Sequence, residues 1–380
     1  IGENAFAGSG LTNVNVPENV DNIAAGAFDC ESLSEVNLAD GTEPVTIADN
    51  AFGDNYTDVH VGRPVNGTPF AGGPVENATV GNTVESIPDG FFAGCENLAE
   101  VTIGGTVTEI GDGAFQNCHA LTEVVMPPST KSIGESAFAG SGLVHVVIGP
   151  NVTSIGSKAF EGVNPQTVSV TALVPPVMSA DAFSSYSATL RVHDLKVAEV
   201  YADATGWSAF SDVKELVKPA DIEVSGADKL EGEKGTQITL TASLKAAGDE
   251  EISLPHIFWR STNPQLATVD NNGTVTLKAE LSSNGQPAQA PAKAGEEIPA
   301  LNIVAESLYA DGPVAIYDPV TGKTSHIEDV VVDKLPESFD ITEPVEIYDL
   351  NGVRLNRSLD ELSTGVYIIR QNGTAVKIKR

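Results

Sequence analysis

The sequence predicts a mainly β protein in which a solenoid of eight repeats is followed by a β-sandwich and a small C-terminal β domain. Three observations predict this fold class. Phenylalanine recurs about every 23 residues through the first half of the chain. Apolar and polar residues alternate with a period of two after most of these phenylalanines, which is typical of strands. The second half loses this repeat but keeps short alternating segments that are bounded by turn residues.

The composition argues against several classes of function. The 380 residues carry 52 acidic and 21 basic side chains, a net charge of −31. A chain this acidic repels phosphate backbones and anionic membrane surfaces, so we expect no nucleic acid partner. No run of 18 apolar residues occurs, so we expect no membrane insertion. The acidity is strongest in residues 1–165, which hold 21 acids and three bases.

Each repeat is marked by a phenylalanine that we expect to stack on its neighbours as a buried spine. The eight spine residues are Phe6, Phe28, Phe52, Phe92, Phe115, Phe138, Phe160 and Phe183. Seven of them follow Ala, and we expect the Ala-Phe segment to form a short helical or 3₁₀ turn. The step from Phe52 to Phe92 is 40 residues long. We assign its extra residues to a protruding loop over Gly62–Gly81, which is rich in Gly, Pro and Asn.

The repeat unit resembles a known family. Two units read Ile110-Gly-Asp-Gly-Ala-Phe-Gln-Asn-Cys-His-Ala-Leu121 and Ile133-Gly-Glu-Ser-Ala-Phe-Ala-Gly-Ser-Gly-Leu143, and each continues as Leu-x-x-Val-x-(Ile/Met/Val). This pattern resembles BspA-like leucine-rich repeats of bacterial and protist surface proteins, although the Asn of the common LxxLxLxxN repeat is absent. The resemblance implies a leucine-rich-repeat solenoid over 1–218, adhesion as its function, and a C-terminal cap built on Tyr201, Trp207, Phe210 and Val213. Because Ile1 lies inside a repeat, we expect further repeats to precede it.

The segment 219–308 resembles bacterial Ig-like domains of group 2. The pattern is carried by Trp259, Ser261, Asn263, Ala267, Val269 and Gly273. It implies a sandwich with Trp259 in its core and a hairpin turn at Asp270–Gly273. We expect strands over Ile238–Ser243, Ile257–Ser261 and Leu301–Ala305, and a long loop over Ser282–Pro299.

The C-terminal part is expected to contain a further small domain. Residues 309–339 are compatible with extra strands or with a linker. Residues 340–380, with "YDLNG", "GVYII" and a terminal "KIKR", resemble the C-terminal sorting domain of Bacteroidetes secreted proteins. Asn351-Gly352 predicts a hairpin turn. The resemblance implies export to the cell surface or the medium, in association with the outer membrane.

No motif predicts catalysis. The sequence contains no HExxH, CxxC, G-x-S-x-G or Walker A motif, so we expect no catalytic residues, no metal site and no cofactor. Cys30, Cys95 and Cys118 occupy one repeat position and are expected to be buried free thiols. A disulfide between Cys95 and Cys118 stays open as the alternative, since adjacent repeats bring them close.

The outward face of the repeat strands is the candidate binding surface, expected to be concave. Two columns of outward side chains are expected to contribute its ligand-binding residues, which are Asn13, Glu35, Asp58, His60, Glu100, Thr102, Glu123, Val125, His145 and Val147. Four carboxylates are expected to stack in the first column. Three interpretations of these carboxylates stay open: a solvated acidic face, a docking surface for a basic or polyhydroxyl ligand, or a weak calcium site. Val125 and Val147 are expected to form a small exposed apolar patch.

These observations predict an exported binding protein of the cell surface. The resemblance to BspA-like proteins implies adhesion to host matrix proteins or to other bacteria. The alternative is a component that captures glycans or peptides for a nutrient-uptake system. Few aromatic residues fall on the predicted binding face, which weighs against sugar stacking and favours a protein ligand.

Overall fold

The chain forms two compact units, Ile1–Leu216 and Val217–Arg380, in a computed structural model. The structure describes residues 1–226, 230–281, 301–309, 312–318, 323–328, 346–348, 354–355, 366–371 and 374–379. The first unit is therefore described in full. The finer division that the sequence suggests within the second unit stays a prediction.

The first unit is a solenoid whose longer strands follow the leucine of each repeat. These strands are β1 (Asn13–Val16), β3 (Glu35–Leu38), β5 (Asp58–Val61), β7 (Asn77–Val80), β9 (Glu100–Ile103), β11 (Glu123–Val125), β13 (His145–Ile148), β15 (Thr167–Val170), β17 (Thr189–Val192) and β18 (Asp212–Glu215). They pair in parallel and in sequence order as two five-stranded sheets, β1 to β9 and β11 to β18. Their inward residues, such as Val36 and Leu38, are fully buried.

Shorter strands precede each phenylalanine turn and form a second layer. They are β2 (Asn22–Ile23), β4 (Val45–Ile47), β6 (Val65–Asn66), β8 (Ser86–Ile87), β10 (Glu109–Ile110), β12 (Ser132–Ile133), β14 (Ser154–Ile155) and β16 (Val177–Met178). They also pair in parallel, as one sheet from β2 to β6 and another from β8 to β16. The isoleucine that ends most of them points into the core that both layers share.

The spine contains nine rings within residues 1–216, one more than the sequence predicts. Phe70 stacks between Phe52 and Phe92, with ring centroids 5.9 Å from each. Residues Gly62–Gly81 are therefore a shortened turn of the solenoid that contains β6, and the prediction of a protruding loop there is wrong. The motif search missed this turn because Phe70 follows Pro69 rather than Ala. The solenoid has about nine turns, and the spine is continuous from Phe6 to Phe183.

The Ala-Phe segments are pairs of tight turns, so the prediction of a helical or 3₁₀ turn is wrong. Two residues before the phenylalanine the backbone is left-handed in most repeats, with φ of 64° at Gly26 and 54° at Ser136. A left-handed residue cannot continue a right-handed helix. The turns instead bond to one another. The Phe115 N–H donates to the carbonyl of Ala137 at 2.7 Å, and equivalent bonds recur along the spine.

Arg63 holds three turns together from inside the solenoid. Its side chain is fully buried and donates to the carbonyls of Glu18 and Val20 at 2.7 Å each, two turns away. It passes Gly41 of the intervening turn, where a Cβ would lie 3.9 Å from Cδ of Arg63. Burial lowers the pKa of Arg63. The two carbonyls partly replace the water that the guanidinium has lost.

An aromatic cap closes the C-terminal end of the solenoid. It contains helix α1 (Leu195–Ala202) and the 3₁₀ turn Trp207–Ala209. Tyr201, Trp207 and Phe210 are buried, as predicted, whereas Val213 is partly exposed on the edge strand β18. Tyr201 Oη donates to the carbonyl of Ala172 at 3.0 Å, and Trp207 Nε1 donates to that of Pro176 at 2.8 Å. In the described part of the chain no helix has the length and apolarity that a membrane span requires.

Among the described residues of the second unit, strands are the only regular secondary structure. They are β19 (Pro219–Ser225), β20 (Gln237–Thr239), β21 (Thr241–Ala246), β22 (Ile257–Ser261), β23 (Ala267–Val269), β24 (Thr274–Leu277), β25 (Ile303–Ser307), β26 (Val314–Asp318), β27 (Lys323–Glu328), β28 (Glu346–Tyr348), β29 (Arg354–Leu355), β30 (Val366–Gln371) and β31 (Thr374–Lys379). β19 pairs with β21, and β24 lies between β20 and β23 in a three-stranded sheet. The remaining strands follow the order β22-β25-β26-β27-β31-β30-β28-β29.

Several local predictions for this unit can be compared with the structure. Trp259 is buried, and β23 and β24 form the expected hairpin around Asp270–Gly273. The predicted strand Ile238–Ser243 is instead broken at Leu240, because β20 and β21 join different sheets. Strands β26 and β27 lie in the segment 309–339. The predicted loop Ser282–Pro299 and the Asn351-Gly352 turn lie outside the described residues.

Candidate ligand-binding face

The first column of the candidate face follows the register of the longer strands. On the first sheet it consists of Asn13, Glu35, Asp58, Asn77 and Glu100, and on the second of Glu123, His145, Thr167, Thr189 and Asp212. All of its predicted members are present. Asn77 and Asp212 were missed, Asn77 because its strand was taken as part of a loop. The alternation in Asn77-Ala-Thr-Val80 was the signal that could have found it.

The carboxylates of this column are separated by a neutral residue. Asn77 stands between Asp58 and Glu100, so the prediction of four stacked carboxylates is wrong. Asn77 Nδ2 donates to Asp58 Oδ1 at 2.9 Å, and Thr57 Oγ1 donates to Asp58 Oδ2 at 2.8 Å. These bonds satisfy Asp58 without a cation. In the described part of the chain no group of three His, Cys, Asp or Glu is arranged to hold a metal ion.

The second column runs beside the first on the same outward face. It consists of Asn15, Asn37, His60, Thr79, Thr102, Val125, Val147, Ser169, Arg191 and Lys214. Val147 is only 3% exposed, and its register partners Val125 and Ser169 stand on either side of it. Strands about 4.8 Å apart bring such side chains into contact. The prediction of an exposed valine patch is therefore wrong at Val147.

His60 is held by a carboxylate at the end of the preceding strand. His60 Nε2 lies 3.1 Å from Asp40 Oδ1, and their side chains are 27% and 22% exposed. A carboxylate only accepts hydrogen bonds, so Nε2 carries the proton and Nδ1 of the neutral ring presents a lone pair. The backbone leaves room for this pair at two glycines. A Cβ on Gly62 would lie 2.7 Å from Asp40 Oδ1, and one on Gly81 would lie 3.4 Å from His60 Cε1.

The second sheet has a different polar character at its C-terminal end. His145 Nδ1 lies 2.8 Å from Thr167 Oγ1, and Thr189 Oγ1 donates to Asp212 Oδ2 at 2.6 Å. The bond from Thr189 and the nearby ammonium of Lys214 hold the pKa of Asp212 below its ordinary value. Side chains here are therefore largely paired with one another.

The cysteines lie inside the solenoid, away from this face. Cys30, Cys95 and Cys118 are buried and free, so the prediction of free thiols is confirmed. Cys95 Sγ donates to the carbonyl of Phe70 at 3.0 Å and Cys118 Sγ to that of Phe92 at 3.2 Å. Burial raises the pKa of each of these two thiols to about 12. A thiol that stays protonated is a poor nucleophile and a poor metal ligand.

The repeat, its phenylalanine spine and its parallel strands match a known family. Residues 1–61 and 65–189 match the model of the BspA type leucine rich repeat region, in six copies. The solenoid is similar to BspA-type leucine-rich repeats. Families and structures that resemble this solenoid are described as repeat proteins rather than as enzymes. A search of curated proteins found no match.

Solved structures similar to the chain include three leucine-rich or surface proteins. A leucine-rich repeat protein from Bacteroides ovatus is 19% identical, aligns over 57% of this chain and 64% of its own, and has a TM-score of 0.33. A leucine rich cell surface protein from Faecalibacterium prausnitzii is 18% identical, aligns over 57% of this chain and 82% of its own, and has a TM-score of 0.26. The pneumococcal vaccine antigen PcpA is 16% identical, aligns over 56% of this chain and 69% of its own, and has a TM-score of 0.31. The chain thus spans less than two thirds of the first structure, and scores this low carry no argument about function.

Proposed function

We propose that this protein is an exported, non-catalytic binding protein of the cell surface that uses the outward face of its longer strands to bind a protein. The ligand class we favour is a protein of the host matrix or of another bacterial surface, which makes the protein an adhesin. The observation that carries the proposal is the pair of polar columns that crosses ten strands. Solenoid faces of this kind present many side chains to one extended partner.

The charge of the face selects the partner. Glu35, Asp58, Glu100 and Glu123 stand in one column, and residues 1–165 carry 21 acids and three bases. A basic surface is attracted by this field, and attraction between exposed charges weakens as salt screens it. No Phe, Tyr or Trp side chain stands in either column, so the face lacks the large aromatic rings on which a sugar ring usually stacks.

The described part of 219–308 supports the proposed role of a spacer. Trp259 is buried in its own core with Val269 and Val275, as an Ig-like sandwich requires. Gly273, with φ of 83°, places the β23–β24 turn directly against the Trp259 ring, where a Cβ would lie 3.0 Å away. We propose that 219–308 is an Ig-like spacer and that 340–380 directs export or anchoring.

Reversal of charge on the face tests the function. The full chain is screened against a panel of extracellular proteins and a glycan array, with and without Ca²⁺. We expect a protein ligand whose binding weakens about tenfold or more in the double variant Glu100→Lys/Glu123→Lys and falls steeply with salt. The control is Glu109→Lys/Glu135→Lys, which makes the same change in charge outside these columns. Equal loss in both variants, or a glycan hit without a protein hit, would contradict the proposal.

A further inference from the structure

Three half-buried polar side chains of the second column have hydrogen-bonding groups without partners. Asn37, His60 and Thr79 stand side by side on β3, β5 and β7. All three are only partly exposed. Within the described residues, neither the amide of Asn37, nor Nδ1 of His60, nor the hydroxyl of Thr79 has a hydrogen-bond partner in the protein. A ligand that pairs with these groups gains hydrogen bonds for which the protein itself supplies no competing partner.

His60 is oriented for this purpose. Asp40 holds the ring through Nε2, which leaves Nδ1 as the acceptor of the neutral ring. The Asp40–His60 pair packs closely against the backbones of Gly62 and Gly81, where a Cβ would lie within 3.0 Å of Asp40 Oδ1. Asn37 offers both an acceptor and a donor, and Thr79 offers a hydroxyl that does either. Resting on the function proposed above, we propose that Asn37, His60 and Thr79 bind the main chain of an extended, basic polypeptide segment.

The dimensions and charges fit this ligand. Two steps between paired strands span about 9.6 Å, close to three residues of extended chain at about 3.3 Å each. A peptide group supplies the donor and acceptor that an Asn amide matches and the N–H that Nδ1 accepts. Carboxylates lie close to the three residues along the chain: Glu35 of β3 and Asp40 after it, and Asp58 of β5. β7 contributes only the neutral Asn77 and Thr79, so the ligand's side chains should be basic.

The test uses the full chain and a fluorescein-labelled (Lys-Gly)₅ peptide, with (Glu-Gly)₅ and maltohexaose as contrasting probes. We expect His60→Phe and Asn37→Ala each to weaken (Lys-Gly)₅ binding about fivefold to tenfold at neutral pH, the loss expected for one hydrogen bond. His119→Phe is the matched control, since His119 is exposed and lies outside both columns, and it should bind like the parent. Melting curves confirm that each variant is folded.

Several outcomes would overturn this inference. They are equal binding by the parent and His60→Phe, an equal loss in His119→Phe, or preference for maltohexaose or (Glu-Gly)₅. Binding that depends on Glu100 and Glu123 but not on His60 would refute the site at Asn37, His60 and Thr79 while leaving the proposed function intact. Failure of (Lys-Gly)₅ to bind at all also refutes this site, whereas the proposed function is decided separately by the protein panel.

Discussion

The phenylalanine of each turn is the residue that most directly joins one repeat to the next. Its ring stacks on two neighbours at centroid distances such as 5.5 Å and 5.2 Å for Phe115, with rings nearly parallel. Its N–H donates to the next turn. A buried aromatic ring removes a large apolar area from water and adds stacking energy. One residue therefore provides both the packing and the backbone bonding that stabilise the stack.

Replacement of Phe115 by Ala should lower the free energy of unfolding by about 3–5 kcal/mol, because it leaves a cavity in the spine. Urea unfolding followed by circular dichroism measures the loss. Phe6→Ala is the control, since Phe6 is 45% exposed and stacks on one ring only. Phe6→Ala should lower the free energy of unfolding clearly less than Phe115→Ala. Equal losses at the two positions would show that stacking within the spine does not decide stability.

A second residue-scale prediction concerns the left-handed turn position. Ser136 has φ of 54°, and glycine occupies the same position at Gly26, Gly90 and Gly113. A left-handed conformation costs an L residue about 1–2 kcal/mol, of which the added freedom of an unfolded glycine cancels about half. Ser136→Gly should therefore raise stability by about 0.5–1 kcal/mol.

The matched control for this prediction is Ser154→Gly in strand β14. There the backbone needs no left-handed residue, so glycine only adds unfolded-state freedom and should lower stability by about 0.5–1 kcal/mol. Thermal unfolding of both variants provides the measurement. A decrease in both would mean that the turn at Ser136 is not strained.

At the scale of elements, helix α1 is the only described α-helix, and two acids of the cap fix its start. Asp194 Oδ1 accepts from the N–H groups of Lys196 and Val197 at 2.8 Å and 2.9 Å, and Glu215 Oε1 accepts from that of Leu195 at 2.8 Å. The first amides of a helix have no partners within it, so these carboxylates replace the missing bonds. The helix in turn places Tyr201 over the end of the solenoid core.

Removal of this cap should be measurable in stability and in its pH dependence. The N–H of Val197 and the His193 ring hold the pKa of Asp194 below its ordinary value. The stabilisation is thus present above the unfolded-state pKa, near 3.9, and is lost as the pH falls through the lower folded-state pKa. Asp194→Ala should cost about 1 kcal/mol at neutral pH.

The isosteric variant Asp194→Asn separates capping from charge. Asn caps helices about as well as Asp, so this variant should remain nearly as stable at neutral pH and should lose less stability on acidification than the parent. Urea unfolding, measured from neutral pH through the acidic range, tests both of these expectations. An Asp194→Ala variant as stable as the parent would show that Glu215 suffices to cap α1.

At the scale of the whole molecule, the dominant property is the net charge of −31, which is spread over both compact units of the chain. Like charges on a compact surface repel one another and destabilise the folded state. The same field attracts basic partners, so the property that favours binding lowers stability at low ionic strength.

Salt should therefore stabilise the protein while it weakens binding to a basic partner. Raising NaCl from about 0.01 M to about 0.3 M shortens the screening length from about 30 Å to below 10 Å. We expect Tm to rise by about 2–4 °C, measured by differential scanning calorimetry. The Tm of the double variant Glu100→Lys/Glu123→Lys, which has four fewer net negative charges, should rise less. A Tm that does not change with salt would contradict the repulsion argument.

The sequence by itself determined the period of the repeat, the inward apolar positions, the spine residues that follow Ala or Phe91, the aromatic cap and the buried cysteines. These follow from side-chain chemistry that recurs at fixed spacing and so needs no knowledge of distant contacts. The second unit was accessible only locally, through Trp259 and the Asp270–Gly273 turn. Its break at Leu240 depends on which sheet each half of the segment joins.

Only the tertiary structure decided which residues become neighbours around the short turn at Phe70. Phe70 enters the spine although its turn is short and lacks the Ala-Phe pair, because its ring fills the gap between Phe52 and Phe92. That turn places Asn77 between two carboxylates and Thr79 beside His60, which no local pattern states. The reach of Arg63 to Glu18 across Gly41 and the pairing of His60 with Asp40 are likewise set by stacking. Spacing along the chain determines which residues recur, whereas the register between turns determines which side chains lie next to one another.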